Sequence, residues 1–347
     1  VPQFFADWQL SHPQVVEDLG SMGYASSWGM FLKGSVLEHA QEGSGLPLEY
    51  YKSYNLSFNQ PHIYFDTLWD LNASELLACT AEISDFMNSA EIKNFLDWTG
   101  DVEGVRETNG RYSAHCPVPG FWIAPACRHN YTQCIPTVLF QGWGYGAMQW
   151  AVAHGIPLAL TYPIIEGAGN VQLVRKHRLL FSWWAPDDTF ADLRPAQVIL
   201  PEHRPKDWAR GDYRTGSPKG YVGKLGSTRM RITAPQVRAF VQKMEVDEDQ
   251  TLGLMAAVGE ETWTVVERWR NAAQGCCEWL KANRDVWTSW LPVATDCTEG
   301  FGIADIRGMP VMSRAEAVNC QICPAGTFSE LYEDGGFTYR CQPCNPG

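Results

Sequence analysis

Residues 135–165 constrain the fold more than any other stretch. "IPTVLF" has the content of a buried strand, "GWGYGAMQWAVAHG" is a glycine-rich turn opening a helix, and "IPLALTYPII" is a second buried strand. Strand, helix and strand in such close succession form a β-α-β unit, whose two strands lie parallel. The runs "RLLFSWW" and "AQVIL" supply further short strands, so the chain is read as α/β with a largely parallel sheet. From Thr233 to Leu291 the pattern turns helical. There Trp263, Val266, Trp269, Ala273 and Leu280 recur near helical spacing, a stripe expected to face the core. Nearer the start, "SHPQVVEDLGSMGY" is read as a helix capped by Ser11 and ending near Gly20, and "SELLACTAEISDFM" as an amphipathic helix after a loop.

A chain of 347 residues, 45% hydrophobic and 19% charged, can bury a large core in one two-lobed unit or two domains. Its net charge of -12 repels a nucleic-acid backbone or an anionic membrane. The one basic island, Arg210 to Arg231, is rich in glycine and serine and reads as a solvated loop; the Arg210-Gly211-Asp212 tripeptide inside it is too short to carry weight. Residues 129–165 hold no Lys, Arg, Asp or Glu, yet Asn130, Gln133, Gln141, Gln149, His154 and three prolines interrupt them, so no membrane insertion is expected. "VPQFFADWQL" has no basic start or long apolar run, and Val1 reads as the start of a mature chain or of a fragment.

Eleven cysteines and three glycosylation sequons, at Asn55, Asn72 and Asn130, point to an oxidising compartment: a eukaryotic secretory product, extracellular or at the cell surface. Cys127 and Cys134 look like a local disulfide. The pairings of Cys79, Cys116, Cys276 and Cys277 stay open. In the tail, two Cys-x-x-Cys pairs would also suit a zinc ribbon, but the oxidising context argues against metal.

Few constellations offer catalysis. No Gly-x-Ser-x-Gly elbow and no Walker loop is present, and the eight histidines, His115, His129 and His154 among them, show no metal spacing. "GWGYG", with Glu166 after the next strand, is a loose dinucleotide-binding outline lacking the required glycine spacing. The same geometry serves better to hold a carboxylate on helix N-terminal amides. No cofactor is expected, and the chain is not read as an enzyme.

Tryptophan is the outstanding residue, with fifteen copies; Trp28, Trp122, Trp143, Trp183 and Trp184 lie outside any helical stripe. Rings presented from loops can box a methylated ammonium at about 0.5–2 kcal/mol each, or they can simply fill a core. Residue types alone leave both readings open.

"LVRKHRLLFSWWAPDDTFADLRPAQVILPEH", with Trp184-Ala185-Pro186 at its centre, resembles a segment of the glycine betaine, choline and proline betaine binding proteins of ABC importers. "GFWIAPACRHNYTQCIPTVL" is similar to that family's Gly-Trp-x-x-Pro segment, with Trp122 and Pro125 in place. The closing helices, ending between Asn283 and Leu291, are similar as well. The resemblance covers residues 105–292; it departs from the family at Asp187, where histidine is usual, and in the added cysteines and sequons.

The resemblance implies a two-lobed type II periplasmic-binding-protein-like fold over residues 1–315, with a second lobe at 121–234. It implies a small quaternary ammonium ligand held in an aromatic cage between the lobes, with Trp184, Trp183, Trp122, Trp143, Tyr145 and Asp187 as ligand-binding candidates. "CPAGTFS" followed by "CQPCNPG" resembles the cysteine-rich modules of ephrin-receptor and tumour-necrosis-factor-receptor type. This implies a disulfide-stapled module at 316–347, truncated and suited to protein partners. Cys323 would pair with Cys341, Cys320 with Cys297, and Cys344 with a residue beyond Gly347. The rival reading is a structural cell-surface or filament glycoprotein that keeps the fold as a scaffold.

Overall fold

The computed structural model describes residues 14–77, 89–140, 144–164, 168–187, 193–258, 265–291, 295–305, 307–333 and 337–344. Ser11, Cys79, Trp143, Glu166 and Trp263 lie outside them, as do most of the helix expected from Ser74 and the side chains of Tyr145, Val266 and Trp269. The chain forms two compact units, one of residues 26–220 and 255–268, the other of 1–25, 221–254 and 269–347.

The central unit, residues 26–220 and 255–268, is mixed α/β. Its sheet uses β1 (Val16–Leu32), β4 (Trp122–Ile123), β5 (Ile135–Val138), β6 (Leu158–Thr161), β7 (Leu180–Ala185) and β8 (Ala196–Gln197) in the order β4-β6-β5-β7-β1-β8. Strand β5 runs parallel to both β6 and β7, whereas β1 is antiparallel to β7 and β4 to β6. The expected β-α-β unit is therefore present, with α3 (Gly144–His154) joining β5 to β6 and α4 (Ala168–Lys176) joining β6 to β7. Helices α1 (Gly34–Ser44) and α2 (Ser89–Thr99) and a hairpin of β2 (Val105–Thr108) and β3 (Arg111–Ala114) complete this unit.

Two apolar clusters flank the sheet. Met148, Trp150 and Ala151 of α3 pack with Met30, Leu32, Leu158 and Leu180 on one face. Leu173 and Val174 of α4 pack with Phe31, Val138 and Phe181 on the other. Covered on both faces, the parallel strands are apolar almost throughout, which is why they were legible as unbroken runs.

In the other unit β1 pairs with β9 (Gly220–Ser227), followed by α5 (Pro235–Lys243) and by parts of α6 (Glu248–Val258) and α7 (Val265–Ala282), whose residues 255–258 and 265–268 belong to the central unit. The tail is two small antiparallel sheets, β10 (Phe301–Ala304) with β11 (Asn319–Ile322) and β12 (Thr327–Glu333) with β13 (Phe337–Pro343). Disulfides Cys297–Cys320 and Cys323–Cys341 staple it, with Cα separations of 5.4 and 5.3 Å. Cys127–Cys134 closes the local loop in the central unit, and Cys116 is also disulfide-bonded.

Three expectations are corrected. Where a helix was read between Ser11 and Gly20, residues 16–20 are instead the start of strand β1, in which Glu17 and Leu19 point inward while Asp18 and Gly20 face solvent. Glu17 can be buried because Arg231 and Arg238 both grip its carboxylate, at 2.7–3.0 Å. The basic island is only partly a solvated loop. It contributes β9, and buried Lys224 donates to the carbonyl oxygens of Gln242 and Met244 at the end of α5, a favourable place for a cation. Finally, Ala273 and Leu280 of the helical stripe are exposed, because α7 turns Gly275 and Trp279 inward instead.

Candidate functional site

The strand order decides which edge of the sheet is suited to a ligand. From β5 the chain leaves through α3 to one neighbour, and the chain from β6 returns through α4 to the other. The connections leaving the C-terminal ends of β5 and β6 thus diverge onto opposite faces, the arrangement that leaves room for a ligand along that edge of an open α/β sheet. Trp183 and Trp184 stand at that end of β7. Period-two alternation sends them to opposite faces of the sheet.

Trp183 lies half-buried against Phe140, just beyond β5, with ring centroids 4.5 Å apart in an edge-to-face contact. The Phe140 amide donates to Ser182 Oγ at 2.8 Å, tying the two strand ends together. Trp184 is on the α3 face and 41% exposed. Directly across the strand pair sits Trp28, which is buried. Trp28 packs on Trp150 of α3 at 5.2 Å, and a methyl group at Gly146 would already be 4.0 Å from its ring. Beyond Trp184 come Pro186, buried after a cis peptide bond, and half-buried Asp187.

Behind Trp28 the wall is held by directed hydrogen bonds. The indole N–H of Trp150 donates to the Thr215 carbonyl at 3.1 Å, and that of Trp208 to Thr215 Oγ1 at 2.9 Å. Fully buried Gln149 donates to the Gly211 carbonyl at 2.9 Å and accepts from the Tyr213 amide at 2.7 Å. A buried amide with both ends engaged fixes the loop against α3. In the same loop Asp212 is buried and clamped by Arg214 at 2.7 Å through both oxygens, which lowers its pKa. The Arg-Gly-Asp tripeptide therefore presents no free carboxylate. Burial likewise pushes His154 below the usual imidazole range, with its Nε2 against the Arg214 carbonyl at 2.7 Å.

The structure does not bring all the candidates together. Trp183, Trp184 and Asp187 share the end of β7, and Tyr145 belongs to the first turn of α3. Trp122 is a core residue instead: 3% exposed, edge-on to Phe95 and donating to the Gly104 carbonyl at 3.1 Å. Three strand spacings, about 14 Å, separate β4 from β7. Phe140 and Trp150 were missed by sequence reasoning, and Trp28 was noted without being placed at the site. The alternation Trp28, Met30, Leu32 was the available signal for the last.

The sequons share one geometry. Asn55, Asn72 and Asn130 each accept, through the side-chain oxygen, the backbone N–H of the hydroxyl residue two positions on, at 2.9, 3.1 and 3.3 Å. Asn72 and Asn130 are exposed. A separate open cleft of about 410 Å³ is lined in part by Glu103, Arg106, His115 and Arg128, but Arg128 is already engaged bidentately by Asp101 at 2.6 and 2.7 Å. Among the described residues no group of three His, Cys, Asp or Glu is placed to hold a metal, and no helix is long and apolar enough to cross a membrane.

Neither a protein-family model nor a curated protein matches the chain. Among solved structures it is similar to the glycine betaine/L-proline-binding protein ProX of Borrelia burgdorferi, at 12% identity over 84% of this chain and 76% of that one, with a TM-score of 0.36. It is also similar to lactococcal OpuAC in its closed form with glycine betaine, at 9% identity, 84% and 77% coverage and a TM-score of 0.34. A third is an ABC-transporter choline-binding protein in complex with choline, at 11% identity, 84% and 71% coverage and a TM-score of 0.32.

Proposed function

We propose that the central unit is a solute-binding domain that takes a small quaternary ammonium compound of the betaine or choline type at the C-terminal edge of its sheet. The observation that carries the reading is Trp184, an indole exposed at the C-terminal end of a central strand and backed on the same face by buried Trp28. A methylated ammonium has no N–H to donate, so ring faces rather than acceptors recognise it. Asp187, two residues past the strand, is a half-buried carboxylate at the same strand end. Helix α3 follows the C-terminal end of β5, and a helix N-terminus suits a carboxylate. A zwitterion such as glycine betaine uses both features, whereas choline uses only the first. The motif resemblance in residues 105–292 supports binding rather than catalysis.

The setting is part of the proposal. Four disulfide-bonded cysteines in the tail and three sequons with engaged Asn side chains support an extracellular or cell-surface eukaryotic glycoprotein. The stapled tail is proposed to be a receptor-type module for protein partners. The scaffold reading draws on the commitment of Trp28, Trp122 and Trp150 to the core.

Calorimetric titration with glycine betaine and with choline separates the two. Binding predicts saturable heat, tighter for glycine betaine. Trp184→Ala should weaken it about 2- to 30-fold, the worth of one ring. No heat from protein shown to be folded would transfer the conclusion to the scaffold.

A further inference from the structure

Helix α7 carries an unexpected face. At 100° per residue, Ala273, Cys276, Cys277 and Leu280 fall within an arc of about 100°. All four are exposed, and both cysteines are free thiols. The opposite face is the one that packs: Gly275 is buried, and Trp279 stacks on Trp290 at 6.0 Å, which meets Phe240 edge-on at 6.2 Å. An amphipathic helix whose apolar stripe points away from its own core has that stripe available to another molecule.

The thiols identify the occupant's chemistry. Among the described cysteines every other one except Cys344 is disulfide-bonded. Cys276 and Cys277 cannot bond to each other while the helix is intact. Consecutive Cα atoms are about 3.8 Å apart, below the roughly 4.4–6.8 Å that a disulfide spans, and successive helical side chains diverge by about 100°. Either thiol can bond only to a thiol on another segment or molecule, and the stripe complements itself. In an antiparallel two-fold crossing centred between residues 276 and 277, Cys276 faces the partner's Cys277 and Ala273 faces the partner's Leu280. Thiol then meets thiol and small meets large, and the two-fold repeats each contact.

We propose that the exposed face of α7 is the interface of a disulfide-linked homodimer, with Cys276 and Cys277 forming the interchain bonds. The oxidant is a disulfide donor such as oxidised glutathione. The Cys276 thiolate attacks one of its sulfurs and releases one glutathione thiolate. The partner's Cys277 thiolate then attacks the Cys276 sulfur of the mixed disulfide and releases the second. Two cysteine thiols lose two protons and two electrons in all, and one glutathione disulfide becomes two thiols.

The test uses the whole chain, expressed in an oxidising secretory host and alkylated before denaturing electrophoresis. The expected result is a reductant-sensitive species of about twice the 38.9 kDa chain mass, with digestion yielding a cross-linked peptide through residues 276 and 277. Cys276→Ser with Cys277→Ser should abolish that species while circular dichroism stays unchanged, and Cys344→Ser should retain it. Leu280→Glu, which leaves the thiols intact, should lower the dimer yield several-fold. The proposal is overturned by a monomer whose two helix thiols are alkylated or capped by glutathione, by a dimer lost in Cys344→Ser, or by full dimer yield in Leu280→Glu.

Discussion

Glu17 offers a prediction that can be worked from the structure. Its carboxylate is almost fully buried in β1 and accepts two bonds from Arg238, at 2.8 and 2.9 Å, and two from Arg231, at 3.0 and 2.7 Å. The Arg238 hydrogen bonds, opposed by burial and reinforced by Arg231, bring its pKa from an ordinary 4.5 down to about 2. At about 1.4 kcal/mol per tenfold change in proton affinity, that displacement corresponds to about 3 kcal/mol of folding stability. The Arg231 side chain is 62% exposed, so water screens its part, and about 2 kcal/mol is expected in practice. Because the folded pKa is the depressed one, this stability is fully present above the unfolded value and is lost as pH falls from about 4.5 to about 2. Urea unfolding of wild type and Glu17→Gln, followed by far-ultraviolet circular dichroism from pH 7 to pH 2, isolates the effect, since other acidic groups cancel in the difference. The difference should be about 2 kcal/mol and flat above pH ~5, then shrink toward zero at pH ~2. A flat difference across the whole range, or one below about 0.5 kcal/mol at pH 7, would refute the claim that the two arginines hold this strand in place.

Two further substitutions probe other parts of the fold. Asp101→Asn breaks a bidentate pair with Arg128 whose side chains are only 6% and 11% exposed; it should cost about 3 kcal/mol, because a buried guanidinium is left with only the longer, exposed carboxylate contact to Glu103 at 3.5 Å, and thermal unfolding would show it. Gly23→Ala places a Cβ at φ +103°, 2.8 Å from the Val246 carbonyl oxygen, where the Val246 amide also bonds to Met22 at 2.7 Å. Strain and collision together should destabilise by about 2 kcal/mol or more, and an unchanged melting temperature would mean that the backbone yields there.

How far the fold could be read depended on whether the deciding partner was near in sequence. The β5-α3-β6 unit and β7 are buried on both faces, so their apolar runs named them without help. Strand β1 was hidden because Glu17 looks like surface. The arginines that license its burial, Arg231 and Arg238, lie 214 and 221 positions away, and no local window contains that fact. The same distance effect governs the tryptophans. Trp122 and Trp150 are assigned to the core by the carbonyl oxygens that accept their indole N–H, 18 and 65 residues away, so counting aromatics could not separate a cage from a core.

Trp183-Trp184 differs from those tryptophans because adjacency within a strand is itself structural information. Two neighbouring residues must take opposite faces, and in a central strand both faces are covered along its length. Only at the strand end, past the stretch that the two apolar clusters cover, can one of two adjacent indoles stay half-exposed. Trp183 occupies the Phe140 side and Trp184 is left 41% exposed across the strand pair from Trp28. A ring left open for packing reasons alone gains little from being tryptophan, whereas a ring that meets a cation gains from its π-face. Trp184→Leu, which keeps apolar bulk but removes that face, should therefore leave folding stability within about 0.5 kcal/mol while weakening glycine betaine binding as much as Trp184→Ala does. Equal binding by wild type and Trp184→Leu would show that apolar area, not the indole face, is what the site requires.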